Sequence, residues 1–332
     1  MTRRIAFFVT HLLGSGHLVR TLALARAVAV AGGEALVLSG GRPLPHVTTD
    51  GATLLQLPPV ASDGLNYARL LTPEGAPADA SRLHARRAAA LQALADFRPH
   101  ALVTETWPFG RRILTAEFEA AADAARAQGA ALWASVRDVL EPPSKPARVA
   151  STLDRLDAFD GILVHGDPDI LPLRSSWPGP LDGAEAAFAR IEDRLAYTGY
   201  VTAPPPPPIP SDEILVATGG GIIGRALLAL AAQASAHSPR PWRLRVGGAD
   251  AQAVAQSLHR LGPALIEPAA PDHRARLAGA AASISLCGYN SAVETALGGT
   301  PALLIPMEEA GEREQLIRAE AFARLPESET AR

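Results

Sequence analysis

The sequence predicts an α/β protein of two Rossmann-like, doubly wound domains facing each other across a cleft. Short apolar, β-prone runs alternate with alanine- and arginine-rich helical stretches, which is the pattern of βαβ units around a parallel sheet. Five successive prolines at 204–208, with Pro210 beyond, interrupt the alternation and favour a polyproline II spacer rising about 3.1 Å per residue. The same opening of strand, glycine turn and helix occurs on both sides of that interruption. At 332 residues the chain also exceeds what one hydrophobic core conveniently serves. The expected division is an acceptor-side domain at 1–203, a linker at 204–210 and a second domain at 211–332.

In the first domain the apolar runs predict strands at 5–10, 35–38, 54–57, 102–105, 131–136 and 162–165, with long helices at 16–31, 78–97 and 114–128. The helix at 16–31 carries Leu18, Leu22, Ala25 and Val28 at helical spacing. Segments 58–77 and 140–150, rich in Pro, Gly and Ser, read as surface loops. Beyond the prolines the expected order is a strand at 214–218, the glycine loop Gly219-Gly220-Gly221, a helix at 222–236, strands at 242–246, 264–267, 282–286 and 302–305, and a helix at 312–324. The polar tail at 326–332 reads as frayed.

Composition removes several classes of function. A formal net charge of -3 leaves no basic footprint for nucleic acid. No uninterrupted apolar stretch reaches the roughly 20 residues a membrane span needs. Cys287 is the single cysteine, so neither an internal disulfide nor a cysteine-rich metal site is expected, and with no signal-peptide cleavage pattern a cytoplasmic location is. The only lysine, Lys145, sits between Ser144 and Pro146, away from either glycine loop, which excludes a P-loop lysine and a buried Schiff-base lysine.

Three segments carry chemistry. The first is Gly14-Ser15-Gly16-His17-Leu18-Val19-Arg20, where a strand feeds a glycine turn that opens a helix. Gly14 and Gly16 let a ligand approach the backbone, and the first N–H groups of the helix form an anion site. The second, from Gly219 to Gly224, formally satisfies G-x-G-x-x-G, but the acid that would hold a dinucleotide's ribose is missing at the end of the next strand, and Asp250 lies beyond it. A plain tight turn remains open there. The third is Cys287-Gly288-Tyr289-Asn290-Ser291-Ala292-Val293-Glu294. Ser291 and Glu294 fit an S-x-x-E capping box, while a carboxylate one turn into such a helix also suits both hydroxyls of a ribose. Asp167-Pro168-Asp169 resembles a metal-binding D-x-D motif, and His165 nearby invites a metal reading, but the central proline suits a turn better.

The block at 284–322, with Gly298-Gly299-Thr300-Pro301 and Glu312-Arg313-Glu314-Gln315, resembles the donor-binding half of GT-B glycosyltransferases of the family that forms lipid II. The Gly14 to Arg20 loop looks like the G-x-G-H-x-x-R loop of predicted family-28-like glycosyltransferases and of the sugar-nucleotide hydrolase of pseudaminic acid synthesis. Segments from Glu105 to Arg112, Val164 to Pro168 and Tyr197 to Tyr200 look like that group too. The resemblance implies a metal-independent, inverting transferase with no cofactor, acting on a nucleotide-sugar donor, a UDP-sugar, and on an unidentified acceptor: a small molecule, lipid-linked sugar or polysaccharide precursor. By position, Gly219, Gly220, Gly221, Asn290 and Ser291 would hold the nucleotide phosphates, Glu294 the ribose, and Glu314 and Gln315 the sugar. Characterised members continue past the position of Arg332 with helices that cross back to the first domain. Nucleotide-sugar hydrolysis, or binding without turnover, are the rival expectations.

Such chemistry needs a base for the acceptor hydroxyl, and His17 is the residue expected to supply it, with its imidazole pKa lowered further by the helix start. The plainer alternative has His17 bonding only its own loop backbone. Arg20, one turn along, either supports the loop, meets a phosphate or is solvated. Glu105 ends a strand at the ligand edge, where it orients His17 or grips acceptor, unless it is an exposed loop acid. Arg111 and Arg112 are candidates to clamp an anionic acceptor. Leu12 and Leu13 read as core more readily than as contacts to a lipid.

Overall fold

A computed structural model describes residues 2–44, 47–62, 69–219, 224–248, 250–307 and 313–325. Of the positions singled out above, Gly220, Gly221, Glu312, the first two residues of the 222–236 helix and the tail at 326–332 lie outside them. The chain divides into two compact units, Met1–Val201 and Thr202–Arg332.

The first unit runs β1 (Arg4–Val9), α1 (Gly16–Val30), β2 (Glu34–Ser39), β3 (Thr53–Gln56), α2 (Ala80–Phe97), β4 (Ala101–Glu105), α3 (Thr115–Ala127), β5 (Ala131–Arg137), α4 (Pro146–Leu156), β6 (Gly161–His165), α5 (Ala184–Ala189) and β7 (Leu195–Tyr197). Its strands form one parallel sheet in the order β3-β2-β1-β4-β5-β6-β7. The second unit runs β8 (Ile214–Ala217), α6 (Arg225–Ala234), β9 (Trp242–Val246), α7 (Ala251–Leu258), β10 (Leu265–Pro268), α8 (His273–Gly279), β11 (Ala282–Leu286), α9 (Tyr289–Gly298), β12 (Ala302–Ile305) and α10 (Glu314–Phe322). Its sheet is also parallel, in the order β10-β9-β8-β11-β12. Both orders reverse direction once, beside the first strand, between β1 and β4 and between β8 and β11. Such switch points open a crevice at the carboxyl ends of the strands, where open α/β sheets bind ligands.

Local chemistry sets the boundaries. Asp79 caps α2 by accepting from the Arg82 N–H at 2.8 Å. Gly224 precedes α6 at φ 85°, and a Cβ there would sit 2.8 Å from Thr218 and 2.9 Å from Leu286, so only glycine fits. One face of the first sheet buries Phe8, Leu38, Leu102 and Leu132 with Phe118 of α3. The other face packs Phe7, Val9 and Val103 on Leu18 and Leu22 of α1. In the second unit Val216, Leu244 and Ile266 pack against Leu228 of α6.

Three expectations are corrected, and one strand is added. The loop expected at 140–150 gives way to α4 from Pro146, because proline at a first helical position loses no hydrogen bond, and Val149, Leu153 and Leu156 are buried. The loop at 58–77 is only partly surface: Val60 and Leu70 are buried and Ala61 bridges Leu71. Strand β7, three residues long, is too short for period-based detection. The supposed capping box is not one, since Gly288 is the N-cap of α9 and Ser291 lies in its first turn. After the prolines, the Ile209 N–H bonds Ala275 O at 2.9 Å and the Ser211 N–H bonds Gly279 O at 2.8 Å, so that part of the segment lies along α8. Among the described residues no helix is long and apolar enough to cross a membrane.

Candidate active site

In the first unit the switch point brings together residues 88 positions apart. His17 stands in the first turn of α1, just after β1, and Glu105 is the last residue of β4, the strand paired with β1. His17 Nδ1 lies 2.9 Å from Glu105 Oε1. Arg20 Nη2 donates to the same oxygen, and the Ser135 hydroxyl donates to Glu105 Oε2 at 2.6 Å. Thr106 follows at φ 69°, a left-handed conformation costly for a β-branched residue, and places its Oγ1 3.2 Å from His17 Nδ1. Arg111, also left-handed at φ 57°, donates from Nε to Thr10 O at 2.8 Å.

Glu105 is 3% exposed and Arg20 2%, so neither is the solvated side chain that their loop and helix positions allow. His17 bonds a carboxylate rather than only its own loop. An ionised carboxylate solely accepts, so Nδ1 carries the proton and Nε2 of the neutral ring keeps its lone pair. Burial pushes His17 down most, Arg111 adds to it, and Glu105 opposes both, leaving the imidazole at about 3. Burial would raise Glu105, but Arg20, then His17, outweigh it and hold the carboxyl below the usual range. The site is therefore an ionised, buried carboxylate that fixes the tautomer of a neutral histidine.

In the second unit the switch point places Gly219, after β8, beside the loop from β11 into α9, whose strands pair Ala217 with Ser285. Asn290 and Ser291 occupy the first turn of α9, where backbone N–H groups lack helical partners. Ser291 lines a small pocket with Ser283, Ser285, His273 and Thr295. Glu294, one turn further, pairs with Arg274 Nε at 3.1 Å. Burial raises the Glu294 carboxyl and Arg274 counteracts it. Glu314 Oε1 accepts from Arg318 Nη2 at 2.8 Å, and Gln315 Oε1 accepts from the Met307 N–H at 3.2 Å. Fully buried Arg318 also donates to Cys287 O at 2.8 Å, tying α10 to the loop that starts α9.

No family model matches the chain, and no curated protein sequence is similar to it. Solved structures do match over nearly its whole length. CalG4, the calicheamicin glycosyltransferase, is 19% identical over 96% of this chain and 84% of its own, with a TM-score of 0.58. MurG of Acinetobacter baumannii is 14% identical over 99% and 85%, at 0.56. Phytolacca americana UGT2, complexed with UDP-2fluoro-glucose and pterostilbene, is 15% identical over 98% and 84%, at 0.61. The chain has the GT-B fold. In this GT-B chain the Asp167-Pro168-Asp169 segment is a turn, in which the Asp169 N–H bonds Asp167 Oδ1 at 2.9 Å and the Leu171 N–H bonds Asp167 O. Sequence reasoning missed Ser135, Thr106 and Arg274. Ser135 was detectable only through the strand register, and Arg274 only through the packing of α8 on α9.

Proposed function

We propose that this GT-B chain is a metal-independent, inverting glycosyltransferase that uses a UDP-sugar. In this reading the second unit takes the donor. Gly219, Gly220 and Gly221 and the first turn of α9, with Asn290 and Ser291, hold the diphosphate, Glu294 accepts from the ribose hydroxyls, and Glu314 and Gln315 meet the sugar. Arg274 opposes the burial that raises the Glu294 carboxyl and so favours its ionised form, the one that accepts two hydroxyls. The first unit takes the acceptor beside Gly14, Gly16 and Arg111. His17 Nε2 removes the acceptor's hydroxyl proton as that oxygen attacks the anomeric carbon and the bond to the diphosphate breaks. Arg20 acts through Glu105, on which its guanidinium sits, rather than on a phosphate.

The observation that carries this reading is the pairing of half-buried His17 with buried Glu105 at the switch point of a GT-B domain. A base near 3 is weak, but as the proton arrives the Nδ1–H bond to ionised Glu105 becomes an ion pair, and that gain falls within the step itself. The complex of UGT2 with UDP-2fluoro-glucose supports UDP as the donor nucleotide.

The test is UDP release from a panel of UDP-sugars, with and without pooled hydroxylated acceptors, in the presence of a chelator. Acceptor-dependent release is expected. Release indifferent to acceptor would instead mean hydrolysis, and thermal stabilisation by UDP without release would mean a binding protein.

A further inference from the structure

Strands β4, β5 and β6 are in parallel register, with Val103 opposite Trp133, Glu105 opposite Ser135, and Arg137 opposite His165. Successive side chains of a strand alternate between faces, so Glu105, Ser135 and His165 leave the sheet on one face, the face that α1 covers. Two residues earlier on each strand the same face carries Val103, Trp133 and Leu163, which pack with α1's apolar side chains. A polar row thus caps an apolar row at the carboxyl edge. His165, fully buried, reaches Ser135 Oγ with Nε2 at 2.8 Å and Thr198 Oγ1 with Nδ1 at 2.8 Å.

Hydrogen-bond inventory fixes the direction of this row. Ionised Glu105 only accepts, so the one proton of Ser135 points at Oε2, and Ser135 Oγ must accept from His165. Nε2 of His165 therefore carries a proton. Burial, with Arg20 behind it, pushes His165 down to about 4, so the ring is neutral and Nδ1, 2.8 Å from Thr198 Oγ1, is its accepting nitrogen. The protons of His165 Nε2 and Ser135 are aimed toward Glu105, as are those of His17 and Arg20 from the other side, while Thr198 Oγ1 also lies 3.0 Å from Gly199 O and 3.4 Å from Val164 O.

We infer that His165 is a positioning residue for His17, acting through Ser135 and Glu105 to hold the tautomer that leaves Nε2 of His17 available as a base. The inference deepens the transferase reading and rests on it for its kinetic consequence, but the relay itself is readable without turnover. The charged and titratable groups acting on the row are Arg20 and Arg111 beside His17, Glu105 at its centre, and Arg20 and Glu105 toward His165, and Arg137, opposite His165 in the register, leaves the sheet on the same face.

Side-chain nitrogen NMR of the full chain, labelled at histidine, tests the relay. At pH 7 the wild type is expected to show His17 as the Nδ1–H tautomer and His165 as the Nε2–H tautomer. Ser135→Ala and His165→Leu should both reduce the Nδ1–H population of His17, whereas His165→Gln, which keeps a donor near the Nε2 position, should restore it. Finding His165 as the Nδ1–H tautomer, or His17 unchanged in folded Ser135→Ala, would overturn the inference. Where the wild type turns over, His165→Leu should cost roughly tenfold in rate, within the coupling seen inside one hydrogen-bonded network, and this loss should vanish in a His17→Ala background. An equal loss in that background would show that His165 acts elsewhere. If no UDP-sugar is turned over, the transferase reading fails while the tautomer result still decides the relay.

Discussion

Replacing His17 with alanine is expected to lower turnover about a thousandfold, the middle of the range for a positioned general base, and to leave UDP affinity unchanged. The donor-binding residues proposed above lie in the other unit, so the variant should separate chemistry from donor binding. Protonation of His17 at Nε2 removes the lone pair that the reaction needs, and its folded-state value is depressed, so the wild-type rate is present above that value and lost as pH falls through it. The profile of kcat/KM should therefore stay flat through pH 6.5, where an ordinary histidine would titrate, and fall only toward about 3. Steady-state kinetics between pH 8 and the onset of acid unfolding check this. A break near pH 6.5 or an active His17→Ala variant would remove His17 as the base.

The second large effect is on stability. Arg86 of α2 is fully buried and bidentate on Glu117 of α3, at 2.8 Å from Nε to Oε2 and 2.6 Å from Nη2 to Oε1. Its remaining donors reach Gly40 O at 2.8 Å, Pro58 O at 2.6 Å and Thr10 Oγ1 at 3.3 Å. One guanidinium thus ties two helices to the loops after β1, β2 and β3. Glu117→Ala leaves that charge buried without its counter-ion, and such losses cost about 3–5 kcal/mol. Urea unfolding of wild type and Glu117→Ala should show an unfolding free energy lower by that amount, read as a lower midpoint at unchanged slope. The charge-keeping Glu117→Asp should lose less, because a shortened carboxylate still faces Arg86. A loss under about 1 kcal/mol in Glu117→Ala would mean that the backbone carbonyls alone satisfy Arg86.

Both sheets apart from β7 were legible in the sequence because their strands are short apolar runs, most of them followed by a helix, and because the prolines reset the pattern. Where signals overlapped, reading failed. Pro146 looked like loop punctuation, yet it opens α4, and only the burial of Val149 and Leu153 on the far side distinguishes the two. Ser291 and Glu294 had the spacing of a capping box, but the backbone at Gly288 already starts the helix, which a spacing rule does not register. The role of Arg20 stayed open between loop support, a phosphate and solvent because helical spacing says which residues share a face and not what that face meets; here it meets the end of β4. His17 and Glu105 were separately visible as a helix start and a strand end. Glu105 orienting His17 was one of the alternatives the sequence left open, and choosing it needed β1 to lie beside β4; Ser135 and the role of His165 needed the register of two further strands, which no local pattern encodes.

The central claim is that the second unit is a metal-independent site for a nucleotide-sugar donor, anchored by Glu294. Calorimetric titration of UDP into the full chain in a chelating buffer tests it most directly, run beside Glu294→Ala with its melting temperature checked. One UDP per chain is expected for the wild type, with affinity at least about tenfold weaker in the variant, since hydrogen bonds to a charged acceptor are worth about 1.5–3 kcal/mol. No binding by the wild type, or equal affinity in a folded Glu294→Ala variant, would contradict the account.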